Sequence, residues 1–440
     1  MKLNNSSGAT KGRIEIMAPA GSYESLMAAI KAGADSVYFG IEQLNMRARA
    51  ANNFSTQDLK KIVATAKENK IKTYLTVNTI LYDHDINLMK KIVDTAKEAG
   101  VTAIIASDIS TIQYAHDKDV EIHISTQCNV SNIESVKFYS KYADVIVLAR
   151  ELTLQQVKYI VDEIKKQKIK GPKGNLVEIE IFAHGALCVA VSGICYMGLA
   201  QYNSSANRGA CLQPCRRSYK ITDEETGEEL IVDNKYIMSP KDLCTIGFLD
   251  KILESGVKVL KLEGRGRSPD YVYSVVKCYK EASDAVFEGT YTKDKIEKWT
   301  KELESVFNRG FWQGGYYLGK KLGEWSGTYG SKATKEKEFI GLARHYFPKT
   351  KIAEFIVQTG KIKVGDEIII TGTTTGVIKS KISEIRLEDK SKTNEAQKGQ
   401  IFTIPLDERV REGDKLYVFK DKINFQGNDA LKDKLKVINK

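Results

Sequence analysis

The chain has 440 residues, 42% hydrophobic and 28% charged, which excludes disorder over its whole length and predicts two or three domains, one with a substantial core. No run of about 18 apolar residues occurs and the first thirteen residues are polar, so the expectation is a cytosolic protein with neither membrane span nor signal peptide. The net charge of +11 is uneven: residues 331–440 carry 23 basic and 16 acidic residues, or +7, which suits a polyanion such as RNA, although a solvated lysine-rich surface explains it equally well.

Short apolar runs alternate with amphipathic stretches over the first 270 residues. Expected strands are Ile14–Ala18, Ser36–Phe39, Thr73–Val77, Ala103–Ala106, Glu121–Ser125, Val145–Leu148, Glu178–Ala183 and Val259–Glu263. Between them, Tyr23–Ala32, Thr56–Asn69, Asp85–Ala99, Ile133–Tyr142 and Thr153–Lys166 space apolar residues three and four apart, as helices do. Eight such units favour a (β/α)8 TIM-like barrel. An open dinucleotide-binding sheet would show a glycine fingerprint after the first strand, where this chain has Ala18-Pro-Ala-Gly-Ser22. Chemistry in a barrel sits where strands end. Those ends carry Tyr38, Asn78, Asp108, Gln127, Arg150, His184, Glu263 and Arg265, of which Asp108 reads first as a helix cap, as does Ser125 nearby.

The connection after Glu178–Ala183 is too long for one crossover. It holds a cysteine-rich segment, 184–244, and a charged hairpin-like stretch, Tyr219–Tyr236. The barrel domain should span 14–325. From 338 to 420 the pattern becomes short strands and turns without helices, a small antiparallel β-barrel suited to RNA docking.

Seven cysteines occur, five of them between Cys188 and Cys244, and cytosolic clustering of this kind reads as metal or redox chemistry. Cys188, Cys195, Cys211 and Cys215 are separated by six, fifteen and three residues. Structural zinc favours short paired knuckles, and only the last pair resembles one, so a [4Fe–4S] cluster is the leading expectation, with zinc and free thiols as alternatives. A cluster with four cysteine ligands carries electrons or braces the fold and leaves no open coordination site. Cys244, with 28 residues between it and Cys215, is expected to be spare or an alternate ligand. A different chemistry would pair His184 with Cys188 on one helical turn as base and nucleophile. Arg47, Arg49, Arg150, Arg265 and Arg267 follow barrel strands, and guanidinium groups converging there suit a carboxylate or phosphate ligand, or else ordinary ion pairs.

Several motifs together resemble a known family: Ala18-Pro-Ala-Gly-Ser22, Ala32-Gly-Ala-Asp-Ser-Val-Tyr38, His184-Gly-Ala-Leu-Cys188, Ser192-Gly-Ile-Cys195, Asn207-Arg-Gly-Ala-Cys-Leu-Gln-Pro-Cys-Arg216, Ser239-Pro-Lys-Asp-Leu-Cys244 and Lys261-Leu-Glu-Gly-Arg265. The chain resembles the collagenase-like peptidases of unknown catalytic type, most nearly the tRNA uridine 5-hydroxylation branch. The resemblance implies 5-hydroxyuridine formation at the tRNA wobble position, dependent on prephenate and an iron–sulfur cluster, with Cys188, Cys195, Cys211 and Cys215 as ligands. It also implies tRNA as partner, with an electron donor or paralogous subunit. The candidate substrate-binding residues are Arg47, Arg49, Gln127, Arg150, His184, Glu263 and Arg265, and no general base is assigned. Alternatives are a collagenase-like peptidase using Cys188 or a metal, and a noncatalytic RNA-binding subunit.

Overall fold

A computed structural model describes residues 14–422 except 50–52, 218–220, 228, 231–238, 320–323 and 328–329. Eight parallel strands close a barrel: β1 (Glu15–Pro19), β2 (Ser36–Phe39), β3 (Lys72–Val77), β4 (Ala103–Ala106), β5 (Ile122–Ile124), β6 (Val145–Val147), β7 (Glu178–Gly185) and β8 (Val259–Leu262). Closure is explicit in the register, since β8 pairs in parallel with both β1 and β7.

The outer helices bury the face that their spacing dictates. Helices α1 (Tyr23–Lys31), α2 (Leu59–Glu68) and α3 (Ile86–Ala99) follow the first three strands, and α2 buries Leu59, Ile62, Val63 and Ala66. Helix α3 buries Met89, Ile92, Val93 and Ala96 at the same offsets. Helix α4 (Ile109–Asp117) is absent from the sequence expectation because Ser110, Thr111 and Gln113 dilute its apolar stripe; Asp108 caps it by accepting from Ser110 N at 3.0 Å. Helices α5 (Ile133–Tyr139), α6 (Leu154–Gln167), α7 (Leu249–Glu254), α8 (Pro269–Phe287) and α9 (Lys293–Ser305) follow, and a further six-residue helix, Met197–Tyr202, lies inside the cysteine-rich segment.

The barrel sheet continues beyond β7. Strand Asp242–Cys244 pairs antiparallel to the end of β7, and Phe311–Gln313 adds in parallel to it, burying Trp312 completely. The hairpin expected at Tyr219–Tyr236 exists as Ile221–Thr222 paired with Glu229–Leu230, while residues 231–236 lie outside the described residues.

The tail forms an eight-stranded antiparallel sheet, from β9 (Lys335–Phe347) to β10 (Lys415–Asp421) at its centre. Ile378 and Ile385, near opposite ends of the strand order, meet in one core with Phe355 and Phe402, so the sheet wraps on itself. One side of it packs on the barrel: Ile369, Val377 and Phe419 join the barrel core. Lys379 reaches Glu302 at 2.5 Å, Lys31 reaches Glu408 at 2.7 Å and Lys337 reaches Asp270 across the seam.

Candidate functional site

At the C-terminal ends of the barrel strands lies a cavity of about 250 Å³. It is lined by seven cationic side chains, Arg47, Arg150, Arg216, Lys261, Arg265, Arg267 and Arg309, and by one carboxylate, Glu263. Cys188, Cys195, Cys211 and Cys215 line it too.

Arg265 is 5% exposed and is met by neutral acceptors, Thr76 Oγ1 at 2.8 Å and Asn45 Oδ1 at 2.5 Å. Burial lowers its pKa to about 10. Two glycines make room for it. A Cβ on Gly21 would lie 2.0 Å from the Arg265 carbonyl oxygen, and one on Gly40 would lie 2.2 Å from its guanidinium. The glycine in the Ala18–Ser22 turn thus serves close backbone approach to the loop that follows β8, the last strand of the barrel. A buried guanidinium facing a cavity without a carboxylate of its own is stabilised when an anion enters.

Glu263 accepts from Arg47 at 2.9 Å and from Ala186 N at 3.3 Å. Burial works to raise its pKa, but Arg47, Arg267 and Arg150 outweigh this and hold it below the usual carboxylate range. The Arg150 guanidinium stacks 4.0 Å above the Phe182 ring, and its Nε has no hydrogen-bond partner among the described residues. Arg267 lies 3.6 Å over Phe307, and Arg309 is held by Asp242 at 3.4 Å. Arg216 spans to Ser239 Oγ at 3.0 Å and Pro240 O at 2.9 Å. On the far wall Asn78 donates to Ser125 Oγ at 3.2 Å and Gln127 Oε1 at 3.1 Å. Ser125 therefore belongs to the cavity and makes no side-chain cap bond.

The four thiols come from one loop that is pinned at several points. Asn207 Oδ1 accepts from Cys195 N at 3.1 Å, and its amide donates back to Cys195 O at 3.3 Å. Ser192, in the left-handed region, donates to Asn129 at 2.7 Å. Burial raises the Cys215 thiol to about 11; Arg216 opposes this, while Cys188, Cys211 and Cys195 are close enough to add to it. Among the described residues, no group of three or more His, Cys, Asp or Glu side chains is arranged to hold a single metal ion. All four thiols nonetheless line one cavity, and four cysteine sulfurs are the donor set that an iron–sulfur cluster takes.

Of the sequence-expected binding residues, Arg47, Gln127, Arg150, Glu263 and Arg265 converge on the cavity. Arg49 does not: it is exposed and its backbone N–H is tied to Gly209 O. His184 does not line it either. The residue lies on β7, which continues to Gly185, so the expected helical turn with Cys188 is absent. His184 is 2% exposed among Tyr271, Tyr279 and Phe311, and burial pushes its pKa down to about 3, which leaves it neutral. The His184–Cys188 dyad is thereby ruled out in this arrangement. Cys244 is 2% exposed beside Tyr279, away from the four loop thiols. Sequence reasoning missed Lys261, Arg216 and Arg309. Lys261 had a signal, because period-two alternation puts it on the same strand face as Glu263.

Comparison with known proteins adds a second line of observation. The model of peptidase family U32 matches residues 21–327. A protein of Porphyromonas gingivalis named collagenase is 57% identical over 405 residues, covering 92% of this chain and 97% of the relative. The tRNA hydroxylation protein P1 of Bacillus subtilis is 30% identical over 408 residues, 90% of this chain and 92% of the relative. The 23S rRNA 5-hydroxycytidine C2501 synthase of Escherichia coli is 34% identical over 277 residues, 63% of this chain and 40% of that longer protein.

Proposed function

The chain belongs to peptidase family U32, and from that premise we propose that it is an RNA-modifying enzyme that replaces C5–H of a tRNA wobble uridine by C5–OH, with prephenate as co-substrate. The observation that carries this reading is the union of four thiols with seven cations around one small cavity. Cys188, Cys195, Cys211 and Cys215 would hold a [4Fe–4S] cluster, which supplies one-electron transfer when bound. Arg265, Arg150 and Arg47 would bind the two carboxylates of prephenate or the phosphates flanking an extruded base. Glu263 fixes the Arg47 fork, and Phe182 offers a ring beneath Arg150. The amides of Asn78 and Gln127 would face the uracil edge. The wrapped tail, basic overall, would carry part of the tRNA backbone. Replacing C5–H by C5–OH removes two electrons from the base, so turnover would also need a redox partner or a paralogous subunit that takes them up.

A second reading has its own support, since the relative with 57% identity is named collagenase. The cavity favours it less. His184 is packed on β7 among Tyr271, Tyr279 and Phe311 and, with its pKa pushed down to about 3, is too weak a base to take the Cys188 proton, while the surrounding charge suits an anion better than a peptide bond. Two measurements separate the readings. Anaerobically purified protein should be brown and contain about four irons per chain, and 5-hydroxyuridine in tRNA should fall in a deletion strain and return on complementation. Colourless protein that cleaves denatured collagen, with the cleavage abolished in Cys188→Ala, would overturn the RNA reading.

A further inference from the structure

The lumen of such a barrel is ordinarily filled by packed apolar side chains. Here Met17, Tyr38, Tyr74, Ala103, Ile105, Val145 and Val259 do this, but a line of ionisable groups runs through them. Lys261 lines the cavity floor, 5% exposed, with its ammonium over the Tyr38 ring at 4.8 Å. It donates to Glu180 Oε1 at 2.8 Å. Glu180 is wholly buried, and its Oε2 stands 3.6 Å from His123 Nδ1. His123 is 1% exposed, and its Nε2 stands 3.8 Å from Glu121 Oε1. Glu121 is joined in turn to Lys173, whose side chain is half exposed. Glu121 immediately precedes β5 and Lys173 precedes β7, so this end of the line opens on the face opposite the cavity.

Two features distinguish this line from a fixed ionic brace. Buried ion pairs hold together by closing their hydrogen bonds, yet among the described residues Glu180 Oε2 and both ring nitrogens of His123 have no hydrogen-bond partner. The gaps on the two sides of the imidazole are nearly equal, at 3.6 and 3.8 Å, so a small ring movement closes one while opening the other. The groups facing His123 are Glu121 on its own strand side, Glu180 from β7 with Lys261 of β8 behind it, and Tyr74 of β3, whose ring lies 4.4 Å away and whose hydroxyl donates to Glu15 at 2.7 Å. Burial disfavours the charged imidazole, but the two carboxylates outweigh it and raise its pKa.

We propose that the barrel axis is a proton relay, running from Lys261 in the cavity through Glu180 and His123 to Glu121 and the solvent at the opposite face. Each hop moves one proton from a nitrogen or oxygen to the next and changes no other bond. The relay lets the cavity gain or lose a proton while substrate closes its mouth. Only the identity of that substrate rests on the function proposed above.

The test has an arm that needs no activity. In protein labelled at the histidine ring carbons, the His123 resonance is assigned among five histidines by its loss in His123→Gln. It should titrate reversibly with a midpoint above that of free histidine. The midpoint should fall in Glu180→Gln, which removes a carboxylate, and rise in Lys261→Met, which removes the competing cation. The double variant E180Q/K261M keeps the buried charge balanced should either single variant fold poorly, and there His123 should titrate closer to the free value. A resonance locked in one protonation state from about pH 5 to 10 in all of these proteins would overturn the relay. In the second arm, His123→Gln should slow wobble-uridine hydroxylation by about 10²-fold and remove one limb of its pH profile, with prephenate affinity unchanged. An unchanged profile with only a lowered Tm would mean a structural role and refute the relay. Wild-type protein that titrates as expected but leaves tRNA unmodified would sink the functional reading and spare the relay.

Discussion

Replacing Arg265 by methionine should move stability and ligand affinity in opposite directions. The guanidinium is buried, donates to Thr76 at 2.8 Å and Asn45 at 2.5 Å, and is held down to about pKa 10 by burial. Its displacement from the ordinary value corresponds to about 3 kcal/mol of unfavourable charging at neutral pH, which methionine of similar length removes. Against that gain stand two lost hydrogen bonds, each worth about 1.5 kcal/mol. The two contributions nearly cancel, so the unfolding free energy of Arg265→Met should lie within about 1 kcal/mol of wild type. Binding is different, because an anion in the cavity would compensate the buried charge directly. Removing one partner of such a pair costs about 2–5 kcal/mol, or roughly 30-fold to several thousandfold in affinity. Urea denaturation of the free protein and calorimetric titration with prephenate measure the two quantities separately. A variant destabilised by several kcal/mol that binds the dianion as wild type does would refute the argument, since Arg265 would then be a brace.

Three further outcomes follow from particular contacts. Gly40→Ala places a Cβ 2.2 Å from the Arg265 guanidinium and 2.8 Å from Asn45, so it should cost prephenate affinity at least tenfold while far-ultraviolet circular dichroism stays unchanged. Cys215→Ser should lose most bound iron after anaerobic reconstitution, whereas Cys244→Ala, in the core beside Tyr279, should keep it; equal loss in both would remove the distinction between ligand and core thiol. His184 is kept neutral by burial, with a folded pKa of about 3, so below its unfolded value the unfolded chain takes up the proton and stability falls with pH. Relative to His184→Phe, wild type should lose about 2 kcal/mol between pH 7 and 5, read from denaturant midpoints, and a parallel pH dependence in both proteins would contradict the burial argument.

The barrel was legible because its strands are buried on both faces and so read as continuous apolar runs. Ser36–Phe39 and Ala103–Ala106 emerge with the bounds expected from sequence. The same feature hid the relay. In a strand with no solvent face, a charged residue such as Lys261 or Glu180 reads as an interruption near an end, and only the closed sheet shows it pointing into a lumen. The His184–Cys188 error has a related cause. A four-residue spacing implies a shared face only on a helix, and β7 runs on through Gly185 because Asp242–Cys244 pairs with its end. In the tail, the run 376–387 has the composition of one strand, but the chain breaks pairing after Lys381 and resumes at Ile385.

The thiols and the cations are best understood together. Neutral thiols beside guanidinium groups would waste the electrostatics of both, and Cys215, raised to about 11 by burial, is neutral when nothing is bound. Ionising four neighbouring thiols needs a positive partner at their centre, because Cys188, Cys195 and Cys211 each oppose a negative charge on Cys215. Arg216, adjacent in sequence and itself depressed by burial and by Arg309, relieves only part of that repulsion. A cationic iron centre would relieve the rest and leave the remaining arginines free for a dianion. On the function proposed above, the two occupants would favour one another: a cluster would turn the thiols into thiolates, and an anionic substrate would balance the guanidinium groups across the cavity. A hydrolase acting on an uncharged peptide bond gains nothing from seven cations and four coupled thiols, and that asymmetry favours the RNA-modifying reading over the proteolytic one.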